Sequence, residues 1–585
     1  MHITREKRPG IGRRLAAGLL SILGTVVWTH ALAGLFRSAV GIPVEALAPA
    51  AVWLTLGAVV TAAAAAVASS RRAGIVAAAG GAIAAAAIGL AHPAAVVPAL
   101  ALVPSGAVFA VAGAWLARRL PQELDTQSSA HPRWTTAWVL LALLAVVQVG
   151  RLSTYMTNSE SDWFLSTREP FYAKHECLNA YIYGAELDRR GESNVYHANH
   201  YPGLNRGAEP VTELTGMAPE DPFQYAPQFL LWPRAAIAIT QDYQAIRLVW
   251  FGINFTLCMG AVLLLYFWVG GQVGSVGALL SPFVLIAFPT LHNFQYGQFH
   301  FATIALAVLA ILAFERRRPA VGGTLLAVSI LSKLFPALLL VPLALQRRWR
   351  ELGWTVAAGA GLTLVTLLVT GTAPFRAFAD YHLPRLLDGS AFAFGEAWPE
   401  VAELLVAGNQ GIRGIFDKLA AMGLPGATAV SAGAGKLYGL ALVMVAASIG
   451  LRRDASRSER AIAWIGLLGL GSLASTGAWA DYVPLTCVWL LTLLAPLTTG
   501  RPAMQLALGV CAVMQLFLPG TMPLGDWVGT SWMYPLSLLG ALTMLATFTT
   551  GVTPRAAVGA EDGAALRGTL PALSRSARQS APRSN

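Results

Sequence analysis

Charge is what this chain most lacks. Only 12% of its 585 residues are Asp, Glu, Lys or Arg, where a soluble protein carries about a quarter. Hydrophobic residues make up 55% of the chain and mean hydropathy is +0.57, which excludes an ordinary soluble domain. The alternating pattern of a membrane β-barrel is missing too, because the apolar runs are long and unbroken. Cysteine is scarce: Cys258, Cys487 and Cys511 lie in apolar runs and Cys177 stands alone in a polar stretch. Neither a disulfide framework nor a metal-ligand spacing follows, so no metal is expected. There is no P-loop and no GxGxxG opening a soluble βαβ unit, which argues against ATP-driven transport by this chain alone. The net charge of +11 is no nucleic-acid signature, since the bases cluster at the ends of apolar runs and there set orientation.

What remains is an all-α polytopic membrane protein. Apolar runs of spanning length fall near 14–36, 47–69, 73–92, 94–118 and 134–152, and again from 245 to 371 and from 436 to 549. They predict about 13–16 membrane segments. Basic clusters at 5–14, 71–72, 118–119, 316–318, 347–350, 452–460 and 501 place those ends, and both termini, in the cytoplasm. The plasma membrane is the expected location. The first run fits an uncleaved span better than a signal peptide, because further spans follow at once. Residues 1–120 form an extra four-span region with little polar content, 134–550 a core, and 551–585 an Ala/Gly/Ser/Arg-rich tail expected to be disordered.

Lys333 is the anomaly of the core. It sits in an otherwise apolar run between Arg316-Arg317-Arg318 and Arg347-Arg348. An ammonium inside a bilayer costs roughly 2.5–3.5 kcal/mol on insertion scales, and such groups are tolerated where they meet a wet cavity or an anion. Both flanking clusters are cytoplasmic, so the run must enter and return. Each arm is then about 20 Å long, too short to cross comfortably. A deep hairpin bent near Lys333-Leu334-Phe335-Pro336 is predicted, the proline removing a helical N–H.

Two external loops, 153–227 and 372–435, are rich in Tyr, Trp and His, and the first is strongly acidic. Apolar spacing predicts short helices lying on the outer surface, including Leu178 to Leu187. An acidic, aromatic loop beside a membrane lysine suits a substrate with a sugar, an anion and a lipid tail. Moving a sugar from a lipid phosphate to an alcohol needs a carboxylate base and a cation for the departing phosphate. Arg234 stands in a short apolar segment where it can meet that phosphate. Asn293, Gln298 and His300 sit with His292 at the ends of two apolar runs, lining a cavity or forming an interhelical knot. His197 and His200 lack convincing ligand spacing.

Several patches resemble the GT-C-type polyprenyl-phosphate-dependent glycosyltransferases of family 87, which include mannosyl- and arabinofuranosyltransferases. They are Glu176 to Tyr196 (ECLNAYIYGAELDRRGESNVY), Tyr225-Ala226-Pro227, Gly297-Gln298, Arg316-Arg317-Arg318, Gly322-Gly323, Lys333-x-x-Pro336 and Arg347-Arg348-Trp349-Arg350. Asn409-Gln410 is similar to the family's Asn-Gln-Ser, with Gly411 in place of Ser. Ser472 to Tyr482 is similar to its Ser-x-x-x-Trp-x-His-His, with Ala480-Asp481-Tyr482 replacing part of it. The resemblance covers roughly 134–550.

It implies a GT-C-like helical bundle whose first external loop supplies the base. The matching position here is Glu176 rather than Asp, flanked by His175, with Asp162 the rival. It implies a donor phosphate held by Lys333 with Arg234 or Gln298. It implies a substrate cavity lined by His175, Tyr225, Asn293, His300, Asn409, Gln410, Trp479 and Tyr482. The expected function is transfer of a sugar of the mannose or arabinofuranose class, with inversion, from a polyprenyl phosphate to a membrane glycolipid or glycan outside the cytoplasm. No cofactor and no nucleic acid are expected. The rivals are a flippase of lipid-linked sugars, disfavoured by the two long loops and the absence of an internal repeat, and a non-catalytic membrane assembly subunit.

Overall fold

The computed structural model describes residues 9–67, 72–120, 122–130, 132–158, 176–205, 212–215, 217, 221–392, 394–399, 402–452, 455–480, 482–498, 501–517 and 530–553. Asp162, His175 and the tail from 554 lie outside the described residues. Among those residues there is no strand, only two isolated bridges, Thr215–Asp242 and Asn409–Trp479. The architecture is the expected all-α polytopic one. Nine described helices are long and apolar enough to cross a membrane, and one bent pair makes a tenth. Five more apolar helices have only 10–17 residues, so part of the predicted set consists of half-spans.

The N-terminal helices are α1 (Ile11–Ala39), α2 (Ala51–Val67), α3 (Ala73–Ala91) and α4 (Leu102–Arg119), followed by α5 (Pro132–Thr157). The first long loop contains α6 (Cys177–Arg189) and leads through α7 (Leu231–Ile239) to α8 (Tyr243–Val269). Residues 1–120 do not stand apart. Leu19, Leu23 and Val27 of α1 belong to the same apolar cluster as Phe251 and Val262 of α8. Trp28 Nε1 donates to Thr256 Oγ1 at 2.9 Å, and Arg37 pairs with Asp242. Asp242 also caps α8 by accepting from Ala245 N at 3.1 Å. The surface position expected for Leu178 to Leu187 is corrected: α6 is buried from Leu178 to Asp188. Its aromatic side chains need more cover than a surface helix has, and Tyr181 packs edge-on to Phe229 and Trp232.

Helices α9 (Gly271–Ile286) and α10 (Phe288–Gln295) form the bent pair, at 59°. Next come α11 (His300–Glu315) and α12 (Pro319–Ser332), which run antiparallel, Ser329 Oγ donating to the Thr303 carbonyl at 2.8 Å. At Lys333 the backbone turns extended (φ −149°, ψ 134°), and a 3-10 turn over Phe335–Leu339 leads into α13 (Leu340–Leu345). After α13 comes α14 (Trp349–Thr370). Glu315 binds Arg348 at 3.1 Å and Arg460 at 2.8 Å, so the hairpin starts and ends at one face of the bundle. Gly323 allows α12 to lie against α14: a Cβ there would come within 2.7 Å of Trp354 backbone.

The second loop ends in α15 (Ile412–Ala421) and α16 (Ala427–Leu451), then α17 (Arg457–Leu473), α18 (Pro484–Leu494), α19 (Pro502–Phe517) and α20 (Thr530–Val552). A capping box at Ser456 and Glu459 starts α17. Because α16 begins at Ala427, Lys436 lies inside a span and not at its edge, which corrects the expected boundary of the loop at 435.

Candidate active site

The hairpin bend, the start of α11, the Tyr225 segment, residues 471–479, Tyr482 and Val483 enclose a cavity of ≈ 760 Å³. That size suits a substantial organic ligand. Lys333 is on its wall. Its ammonium lies 4.9 Å from the ring centroid of Tyr482 and 5.6 Å from that of Tyr225. No described carboxylate forms an ion pair with it. Cation–π contacts range from about 0.5 to 2 kcal/mol, so two of them offset much of the cost of a membrane lysine while leaving its N–H donors for an anion.

The neighbouring wall is built on Gln298. Its Oε1 accepts from Tyr181 OH at 2.9 Å, Tyr225 OH at 3.0 Å and Phe299 N at 2.8 Å. Gly297 before it has φ +62°, and a Cβ there would sit 2.8 Å from Leu178, which accounts for a Gly-Gln pair at this turn. Gln298 thus fixes two tyrosines of the cavity wall. His300 also lines the cavity, its ring 4.8 Å from Tyr482 and 5.3 Å from Phe335.

Of the residues singled out in the sequence, Tyr225, Gln298, His300, Lys333, Trp479 and Tyr482 line this one cavity. Asn293, Asn409 and Gln410 do not, and this corrects the expectation for them. Asn293 Oδ1 accepts from Phe301 N at 3.3 Å and closes the turn beneath the site. Asn409 Nδ2 donates to the Thr476 carbonyl at 2.8 Å, and Gln410 N to the Ala478 carbonyl at 2.6 Å. These bonds hold the segment before Trp479, while Gln410 Nε2 donates to Ser537 Oγ at 2.9 Å and to the Ala407 carbonyl at 3.2 Å. Arg234 is also corrected: its guanidinium pairs with Asp188 and is absent from the lining.

Glu176 lies one residue outside the lining, where Cys177 contributes instead. Its Oε1 is 2.6 Å from Arg247 Nη2, and Tyr243 OH donates to Oε2 at 3.1 Å. Burial pushes the carboxyl up, against the pull of Arg247 and Tyr243. A carboxylate so engaged is poorly placed to take a proton from a ligand in the cavity. Asp221 is the carboxylate found among the described lining residues.

Residues 223–476 match the family model of glycosyltransferase family 87. This stretch of the chain is similar to glycosyltransferase family 87. The match bears out the resemblance read in the sequence and extends over less than half of the chain. Comparison with curated proteins and with solved structures gives no match. The matched stretch holds Tyr225, Gln298, His300 and Lys333, while Asp221, Trp479 and Tyr482 fall just beyond its ends.

Three residues lining the cavity, and the buried Lys418, escaped the sequence reading. Asp221 was one acid among many in its loop. Arg413, at the rim, holds the Asp388 carbonyl at 2.7 Å, and nothing in the sequence ties the two together. Lys436 was readable: it is the one lysine within Ala427–Leu451. Lys418 is fully buried in α15, with its ammonium on the Asn409 and Gly414 carbonyls, and burial pushes it down to about 7.

Proposed function

We propose that this multi-pass membrane glycosyltransferase moves a sugar of the mannose or arabinofuranose class from a polyprenyl phosphate to a lipid or glycan acceptor, inverting the linkage. The loop side of the bundle faces away from the cytoplasm, in the plasma membrane. The observation that carries this reading is the Lys333 ammonium, caged by Tyr225 and Tyr482 at the tip of a half-depth hairpin. A lipid phosphate can reach that point from the bilayer while its sugar projects among polar and aromatic groups.

In the displacement, the acceptor oxygen bonds to the anomeric carbon as the bond to the phosphate oxygen breaks. The leaving phosphate gains negative charge beside Lys333, where a cation lowers the barrier most. The acceptor proton goes to a carboxylate. Asp221 is our choice for it, on its place in the cavity wall. Glu176, expected as the base, becomes a positioning residue that anchors the start of α6 to Arg247. Asp162 remains the alternative. No cofactor enters this reading.

The test is transfer by purified protein in nanodiscs, given labelled decaprenyl-phosphate sugars and a membrane-lipid extract. We expect transfer by the wild type, and loss of about 100-fold or more for Lys333→Gln and Asp221→Asn, in line with removal of a transition-state contact or a base. Absence of wild-type transfer overturns the enzyme reading. Full activity of Asp221→Asn with loss in Asp162→Asn moves the base to Asp162.

A further inference from the structure

The cavity wall also presents a thiol. Cys177 is the first residue of α6 and lines the cavity that holds Lys333, half-buried there, while Cys258 and Cys487 are buried. Cys511 is half-buried too, but it lies in the middle of α19 and outside the lining.

Three features act on the Cys177 sulfur. It stands at the N-terminal end of a 13-residue helix, where the peptide dipoles favour negative charge. Gln298 Nε2 donates to Sγ at 3.3 Å, and the orientation of that amide is fixed because its Oε1 already accepts from Tyr181, Tyr225 and Phe299 N. The Lys333 ammonium is near enough to interact with it electrostatically. The described lining as a whole holds three cations, Lys333, Arg413 and Lys436, against one carboxylate, Asp221. A helix N-terminus and a neighbouring cation are the surroundings that make a thiol nucleophilic. A separate observation marks the same end of the cavity as built for a guest. His300 is 3% exposed and lines the cavity, and its Nε2 has no hydrogen-bond partner among the described residues. It too interacts with Lys333. A buried polar group left open costs about 1–3 kcal/mol, which a polar ligand recovers.

We propose that Cys177 is a redox modification site, at which hydrogen peroxide oxidises the thiolate to sulfenic acid and so closes the Lys333 end of the cavity to phosphate. The sulfur attacks one peroxide oxygen. An S–O bond forms as the O–O bond breaks, and the departing hydroxide takes a proton from solvent and leaves as water. Sulfur gives up two electrons and the peroxide gains them. The added oxygen then competes with a substrate phosphate for the Lys333 ammonium. That closing effect rests on the reading of Lys333 as the donor-phosphate site; the oxidation does not.

Two readouts keep the parts separate. Purified full-length protein in nanodiscs is treated with hydrogen peroxide and dimedone, and the adduct at each cysteine is followed by mass spectrometry. We expect Cys177 to be labelled about tenfold or more faster than Cys258, Cys487 and Cys511, and Lys333→Gln to slow it about tenfold. Labelling of Cys177 no faster than the others, or unchanged in Lys333→Gln, overturns the site. Titration with farnesyl phosphate then reads the effect on binding. Peroxide should weaken it about tenfold in the wild type, and dithiothreitol should restore it. Cys177→Ser should bind equally before and after peroxide, and equal weakening in that variant overturns the closing effect. Failure of untreated wild type to bind farnesyl phosphate removes the donor site and the closing effect together, and leaves the labelling to decide the thiol.

Discussion

Two lysines in this protein face opposite problems. Lys418 is sealed in α15 with its ammonium on the Asn409 and Gly414 carbonyls, and serves the backbone. Lys333 stands at the hairpin bend against two aromatic rings, with no acid on it among the described residues. The first lysine is satisfied by the fold. The second is supported but not used up, which is the condition a ligand-binding cation requires. Burial alone would not tell them apart; the partners do.

The sharpest way to break this comparison is to remove each charge. Lys333→Gln should lower transfer about 100-fold or more while leaving the melting temperature in detergent unchanged or raised, since it deletes an uncompensated charge. A fall in stability with activity retained would make Lys333 structural, like Lys418. Glu176→Gln comes next. It leaves Arg247 buried without its carboxylate, and breaking a buried pair costs about 3–5 kcal/mol, seen as a lower melting temperature and poor expression. Glu176→Leu with Arg247→Met should recover much of it.

Lys418→Met should cost about 1–3 kcal/mol, because the Asn409 carbonyl loses a buried donor. Here transfer per folded molecule should fall far less than in Lys333→Gln. The smallest effect concerns the contact between the two long loops. His382 stacks on Tyr196, with ring centroids 4.4 Å apart, and burial lowers it from 6.5 to about 4. The folded chain therefore binds fewer protons than the unfolded one between these values. The contact is intact above about pH 6.5 and weakens as pH falls toward 4. Hydrogen exchange over residues 373–388 should rise across that window, and His382→Phe should flatten the change.

Much of this was legible in the sequence. The hairpin followed from charge bookkeeping: two basic ends on one side and too few residues to cross twice, now visible as Arg348 and Arg460 on Glu315. Lys333 followed from the cost of its charge, and Tyr225, Gln298, His300, Trp479 and Tyr482 from motif resemblance. What could not be read was the direction of polar side chains. Asn293, Asn409 and Gln410 belong to motif-like patches near the site, yet their hydrogen bonds turn inward to the backbone. Glu176 and Arg234 found partners, Arg247 and Asp188, that lie far away in the chain. Pairing across such separations is set by packing, and a linear pattern carries no record of it.

The feet of the hairpin, held together through Glu315, have a consequence for register. With both ends fixed, the length of α12 acts as a ruler that decides where the ammonium emerges. Deleting one residue from Pro319–Ser329 would turn Lys333 by about 100° and draw it down by about 1.5 Å, away from Tyr482 and toward lipid. A change that keeps every cavity residue would thereby withdraw the Lys333 ammonium from the cavity, whereas the same deletion beyond residue 345 would leave the tip where it is.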